Sequence, residues 1–274
     1  MNIKRNIPIL FTLCLCSFAV NSTAQSDSSF RFLKSVKGNF SSFNVDNLDN
    51  VYLITNTNQL KKINSNGDSV GVFNDVKRFG NPSSIDVTNP LKILLYYKNF
   101  STVVILDRLL NIRNTINFRK QNIFLVKTIA SSYDNNIWLF DEQESKLKKI
   151  DDGGNVLLET IDLRSILDSV PSPVSIIDHE GFVYVYDPQK GLFVFDYYGT
   201  FKNKLTFLNW QDVDVAGKMV YGFDSKNFYR YSIGSLNLQE YVLPPAFKDY
   251  ISLKVMNGNL YLLKNNRLEI YSIH

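Results

Sequence analysis

The stretch that decides the fold is Asn135–Leu163, NNIWLFDEQESKLKKIDDGGNVLLETIDL. Its opening strand, Ile137-Trp138-Leu139-Phe140, is apolar on both alternating faces. A strand with one wet face alternates apolar and polar residues, so a continuous run means that both faces are covered. Lys146–Ile150 and Val156–Ile161 follow as two further strands, separated by Asp152-Gly153-Gly154, and Thr128–Ser132 precedes as an inner strand. Four short strands joined by Asp, Asn and Gly turns form an antiparallel meander.

Working outward, the unit recurs. Taking Val51, Ile93, Ile137, Val183, Met219 and Leu260 as equivalent gives spacings of 42, 44, 46, 36 and 41 residues. A period in the low forties is that of one four-stranded propeller blade. The fourth unit reads Val174–Ile177, Val183–Tyr186, Leu192–Asp196 and Lys204–Phe207. A parallel α/β sheet would also cover both faces, but no gap in each unit holds the crossover helix it needs. The sequence therefore predicts an all-β, six-bladed propeller. The sixth unit offers only three strands, Leu253–Met256, Leu260–Leu263 and Leu268–Ile273, while Phe30–Lys37 stands unassigned before the first. That amino-terminal strand is expected to complete the last blade and close the ring, covering an edge that invites aggregation.

The unit Asn135–Leu163 and its neighbour Gly181–Leu205, GFVYVYDPQKGLFVFDYYGTFKNKL, resemble the repeats of bacterial six-bladed propellers of the NHL and gluconolactonase-like type. The resemblance spans essentially the whole chain after its leader and concerns architecture. It implies a binding or scaffolding protein as often as an enzyme.

Residues 1–24 read as a signal peptide: Lys4 and Arg5, an apolar run from Ile7 to Val20, then Ser22-Thr23-Ala24 at the cleavage site. Residues 25–274 then form a single propeller domain. Cys14 and Cys16 fall inside the leader behind Leu13 and Leu15, which favours a soluble exported protein over a lipoprotein, and leaves the rest of the chain free of cysteine. Thiolate metal sites and cysteine nucleophiles are thereby excluded. With His179 and His274 as the two histidines, a Ser-His-Asp triad or multi-histidine metal site is disfavoured. Without Lys4 and Arg5 the charge balance is 28 basic against 26 acidic residues, a net of +2 spread along the chain, which argues against nucleic acid as a partner.

The sequence offers three kinds of candidate site. His179, between Asp178 and Glu180, reads as a solvated hairpin tip. Seven residues before the strand anchors stand Asn44, Asp86, Ala130, Ile176, Asp212 and Leu253, on strands that would line the central tunnel. Asn44, Asp86 and Asp212 bear oxygen and could support a hard divalent cation. The related lactonase-like enzymes use such a cluster with a glutamate, and none occupies these registers, so a wet tunnel wall is the better account. The connections between blades are expected to gather on one face and present Lys77, Arg78, Arg119, Lys120, Trp210, Phe247 and Tyr250. These residue types dominate binding hot spots, and they form the candidate binding set.

The function expected from the sequence is a non-enzymatic protein-binding or scaffolding module in the periplasm of a Gram-negative bacterium. Its partner would be another protein of the cell envelope, with no cofactor and no transmembrane segment after the leader. A metal-dependent lactonase-like hydrolase and a small-carbohydrate binding module are the alternatives.

Overall fold

The computed structural model describes residues 30–273. The leader expected over residues 1–24, and His274, lie outside the described residues. The first strand is β1 (Phe30–Lys37). Blade 1 is β2 (Phe40–Val45), β3 (Val51–Thr55), β4 (Leu60–Ile63) and β5 (Ser69–Phe73); blade 2 is β6 (Ser84–Asn89), β7 (Lys92–Tyr97), β8 (Thr102–Leu106) and β9 (Ile112–Asn117). Blade 3 is β10 (Val126–Ser131), β11 (Ile137–Asp141), β12 (Lys146–Ile150) and β13 (Val156–Glu159). Blade 4 is β14 (Ser175–His179), β15 (Phe182–Asp187), β16 (Gly191–Asp196) and β17 (Phe201–Leu205). Blade 5 is β18 (Gln211–Ala216), β19 (Met219–Phe223), β20 (Asn227–Ser232) and β21 (Asn237–Val242). Blade 6 is β22 (Ser252–Met256), β23 (Asn259–Lys264) and β24 (Arg267–Ile273), completed by β1. The inner strands β2, β6, β10, β14, β18 and β22 neighbour one another in a closed ring. The chain is a six-bladed β-propeller.

The continuous apolar runs are the reason. Every residue of β3, β7, β8 and β11 is buried, because one face packs on the preceding blade and the other on the following one. Six apolar clusters result, each spanning one junction between blades. Many outer turns carry an Asp or Asn whose side chain accepts the backbone N–H groups two and four residues on. Asn64, Asp107, Asp151 and Asp196 all do this, which is the physical content of the Asp-rich turn pattern.

Ring closure is as the sequence predicts. β1 pairs antiparallel with β24 from Phe30↔Ile273 to Lys37↔Arg267, with one irregularity between Phe32 and Lys34. Strands alternate in direction within a blade, so the connections between blades share one rim of the disc with the hairpins between second and third strands. The remaining hairpins lie on the opposite rim.

Candidate functional site

On the connection rim the sequence-predicted set divides in two. Lys77 and Arg78 lie on the one-turn helix α1 (Val76–Phe79), whose Phe79 is buried while both cations are exposed. The Arg78 guanidinium sits over the Phe79 ring at 4.6 Å and 3.9 Å from Asp75. Arg119 and Lys120 are exposed on the 3-10 turn Phe118–Gln121, anchored by the wholly buried Phe118. Asn117 caps that turn by accepting the Lys120 N–H at 3.2 Å, and Arg119 Nε donates to Ser101 Oγ at 3.2 Å. These two connections meet over blade 2. Phe100, 49% exposed, sits beside Gly80, where an added Cβ would come within 3.1 Å of its ring. Phe124 and Leu125, in the same connection as Arg119 and Lys120, are 52% and 46% exposed. This rim thus carries Lys77, Arg78, Arg119 and Lys120 together with three exposed apolar side chains.

The aromatic members of the set lie elsewhere and face inward. Trp210 is 7% exposed, stacked between Phe207 at 4.2 Å and Tyr229 at 4.7 Å. It rests on Gly222, where a Cβ would come within 2.4 Å of the indole. Phe247 is 2% exposed against Phe30 and Tyr271. Tyr250 is half-buried and donates its hydroxyl to the Asp224 carbonyl at 2.9 Å, and burial pushes its phenol up to about 12. These three wedge their own junctions and do not join the patch.

The tunnel holds a cavity of about 410 Å³, lined among others by Tyr186, Trp210, Asp212, Asp214 and Lys254. A second, of about 190 Å³, includes Asp86, Ser131 and Asp178. The oxygen-bearing residues of the tunnel register act as clamps between neighbouring blades. Asn44 Nδ2 donates to the Ile85 carbonyl at 2.9 Å. Asp86 accepts the Ser131 N–H at 2.8 Å and its hydroxyl at 3.0 Å. Asp212 accepts the Leu253 N–H at 2.7 Å. Ala130 and Ile176 line the smaller cavity and Leu253 the larger, as expected of the tunnel wall, and all three also belong to the buried cores between blades. Among the described residues no group of three or more His, Cys, Asp or Glu is placed to hold a metal ion.

Asp212 differs from the other clamps. It lies at an irregularity in β18, with φ of 49°, and its exposed surface faces the bore, where protein surrounds it. That enclosure pushes its carboxyl up to about 6, against the Leu253 N–H and the Lys254 charge, which pull it down. Lys254 in turn pairs with Asp214 at 3.2 Å. A carboxyl titrating near neutrality can hold or release a proton under ordinary conditions.

His179 is not at a solvated tip, as expected, but ends β14, paired with Phe182. Its Nε2 lies 3.1 Å from the Gly217 carbonyl of blade 5, so it too is a contact between blades. The turn itself is Glu180-Gly181, which adopts left-handed φ values.

No protein-family model matches the chain, and no curated protein matches it in sequence. Solved structures do. Virginiamycin B lyase from Staphylococcus aureus superposes with a TM-score of 0.60 at 13% identity, covering 85% of this chain and 80% of the lyase. The Pan2 WD40 domain of Neurospora crassa gives 0.64 at 10% identity, with 89% and 95% covered. BamB from Moraxella catarrhalis gives 0.52 at 9% identity, with 89% and 100% covered. The likeness extends to 917 solved chains, the breadth of an architecture and not of one function. It includes an enzyme and proteins not named as enzymes, and at these identities what it shows of this chain is the fold: a β-propeller.

Proposed function

We propose that this protein is an exported, protein-binding propeller, an accessory subunit of a bacterial envelope complex, that docks its partner on the patch over blade 2. The observation that carries this reading is the junction of four exposed cations with the exposed rings of Phe100 and Phe124 on one rim. Arginine and aromatic side chains in one patch are what interface hot spots are made of, and the basic rim suits an acidic partner surface.

The test is co-purification from the native envelope fraction with Arg119→Ala, Lys120→Ala and Phe124→Ala combined. Loss of one anchor costs upwards of ~1 kcal/mol, so recovery should fall at least roughly tenfold with the far-ultraviolet spectrum unchanged. Undiminished recovery would move the docking site elsewhere.

A second reading has one specific observation in its favour. Asp212, raised to about 6 beside the 410 Å³ cavity, suits a proton-transfer group in a tunnel hydrolase. A carbohydrate-binding tunnel is less well supported, because Phe207 and Tyr229 already cover both faces of Trp210. Turnover of a lactone panel by the parent, lost in Asp212→Asn, would establish the hydrolase.

A further inference from the structure

The two cavities of the tunnel belong to one bore, since Asn44, Val174, Ser175, Val213, Asp214 and Lys254 line both. The charged residues of its wall are Asp86, Asp178, Asp212, Asp214 and Lys254, four carboxylates against one lysine. Low-dielectric walls focus such a field, so the bore attracts cations and repels anions. Three of the carboxylates are already engaged. Asp214 pairs with Lys254, Asp86 holds Ser131 of the next blade, and Asp178 accepts the Trp138 Nε1–H at 2.8 Å and the Tyr197 hydroxyl at 3.1 Å. Asp212 accepts the Leu253 N–H and, among the described residues, has no ion pair. Around it on the larger cavity, the side chains of Ser175, Gln211 and Ser252 make no hydrogen bond among the described residues. Polar groups left unpaired around one cavity are how a ligand site is built.

We propose that the bore binds a small organic cation through a primary ammonium group seated on Asp212, with the Ser175 and Ser252 hydroxyls and the Gln211 carboxamide as further acceptors. An ammonium carries three donors and no acceptor, which suits a wall of unused oxygens. A quaternary cation would need a free aromatic face, and Phe207 and Tyr229 already cover both faces of Trp210. Val174 and Val213 offer apolar surface to the methylenes of the ligand. The charge state of Asp212 agrees with this. The titratable groups that face it are Asp214 from its own strand, Lys254 from β22 and the Tyr250 phenol from the connection before β22. Enclosure pushes its carboxyl up to about 6. An adjacent ammonium supplies the opposite charge and favours the ionised form, so binding releases a proton wherever the carboxyl was protonated. The site is separate from the blade 2 rim and needs no turnover, so its failure would leave partner docking and hydrolysis to their own tests.

The probe is putrescine, a short alkyl diamine, titrated calorimetrically onto the full chain. Butanediol, succinate and the fully N-methylated, quaternary form of putrescine are the neutral, anionic and donor-free controls. Putrescine should bind at least roughly tenfold more tightly than any of the three. Asp212→Asn, which keeps an acceptor for the Leu253 N–H, should weaken binding by a similar factor with the far-ultraviolet spectrum unchanged. In the parent the affinity should fall about tenfold from about pH 7 to about pH 5 as the carboxyl takes up its proton, and in Asp212→Asn it should stay flat. No binding of putrescine, equal binding of any control, or undiminished binding by Asp212→Asn would overturn the proposal, as would a parent affinity unchanged by pH.

Discussion

Blades 3 and 5 share one topology and differ in almost everything inside it. In blade 3, β11 is wholly buried and β12 nearly so, whereas in blade 5, β20 is mostly half-buried and β21 is exposed at all six positions. Blade 3 encloses charge and partners it. Lys148 lies 2.9 Å from both Asp141 and Glu144, and Lys149 lies 2.8 Å from Asp134 while reaching over the Trp138 ring. Blade 5 is held by rings, with Phe228 stacked against Tyr221 and Phe223, and the Arg230 Nε buried beside them has no hydrogen-bond partner among the described residues. Yet both blades keep their place in the ring. Trp210 wedges one side of blade 5 and Phe247 the other. Cohesion therefore resides in the junctions, and a blade may be lean inside if its neighbours are wedged.

The sharpest way to break this comparison is by truncation. Phe140→Ala empties a fully buried site in blade 3 and should cost ~3–5 kcal/mol in urea unfolding. Phe228→Ala, at a half-buried site in blade 5, should cost about 1–2 kcal/mol. Equal losses would mean that blade 5 is as tightly packed as blade 3.

Charge removal should act with opposite sign in the two blades. Lys148→Met strands Asp141, which is 1% exposed, and should cost about 3–5 kcal/mol, most of it recovered when Asp141→Leu is added. Arg230→Met removes an unsatisfied buried donor and should be neutral or stabilising by ~1 kcal/mol. A destabilised Arg230→Met would show that the guanidinium holds blade 5 through contacts other than hydrogen bonds.

The smallest effect concerns pH. The Asp212 carboxyl is raised to about 6 in the fold, above its unfolded value of ~3.9, so folding favours the protonated form. Its contribution is fully present below about pH 4 and is lost as pH rises through about 6. Asp212→Asn keeps an acceptor for the Leu253 N–H and removes the titration. The variant should match the parent near pH 4 and exceed it at pH 8 by ~1 kcal/mol, after allowing for water in the bore. Parallel stability curves from pH 4 to 8 would contradict the enclosure of Asp212.

Blades and closure were legible because they follow from short-range patterns. The apolar run at Ile137–Phe140 and the Asp-capped turn at Asp151 report their own burial and bonding, and the strand-like Phe30–Lys37 had a vacant place to go. The rim was only half legible. Phe118 and Phe124 stand six residues apart in one connection, yet the first is buried and the second 52% exposed. Residue type alone cannot say which ring falls into the seam and which is left outside, so Trp210 and Phe247 were placed on the surface and Phe100 and Phe124 were overlooked. Asp212 was singled out for its oxygen, but its raised carboxyl comes from desolvation by the surrounding protein, which no local spacing reveals.

The pairing of β1 with β24 joins residues 241 positions apart, as at Arg31 and Ser272. Contacts of such separation form slowly, because the loop must close before anything rewards it. A chain cut short anywhere before β24 has no blade on which β1 can settle, and its open edge is the kind that proteases and aggregation act on. The closure therefore makes the two ends of the described chain depend on each other, since β1 gains its partner only when β24 is in place.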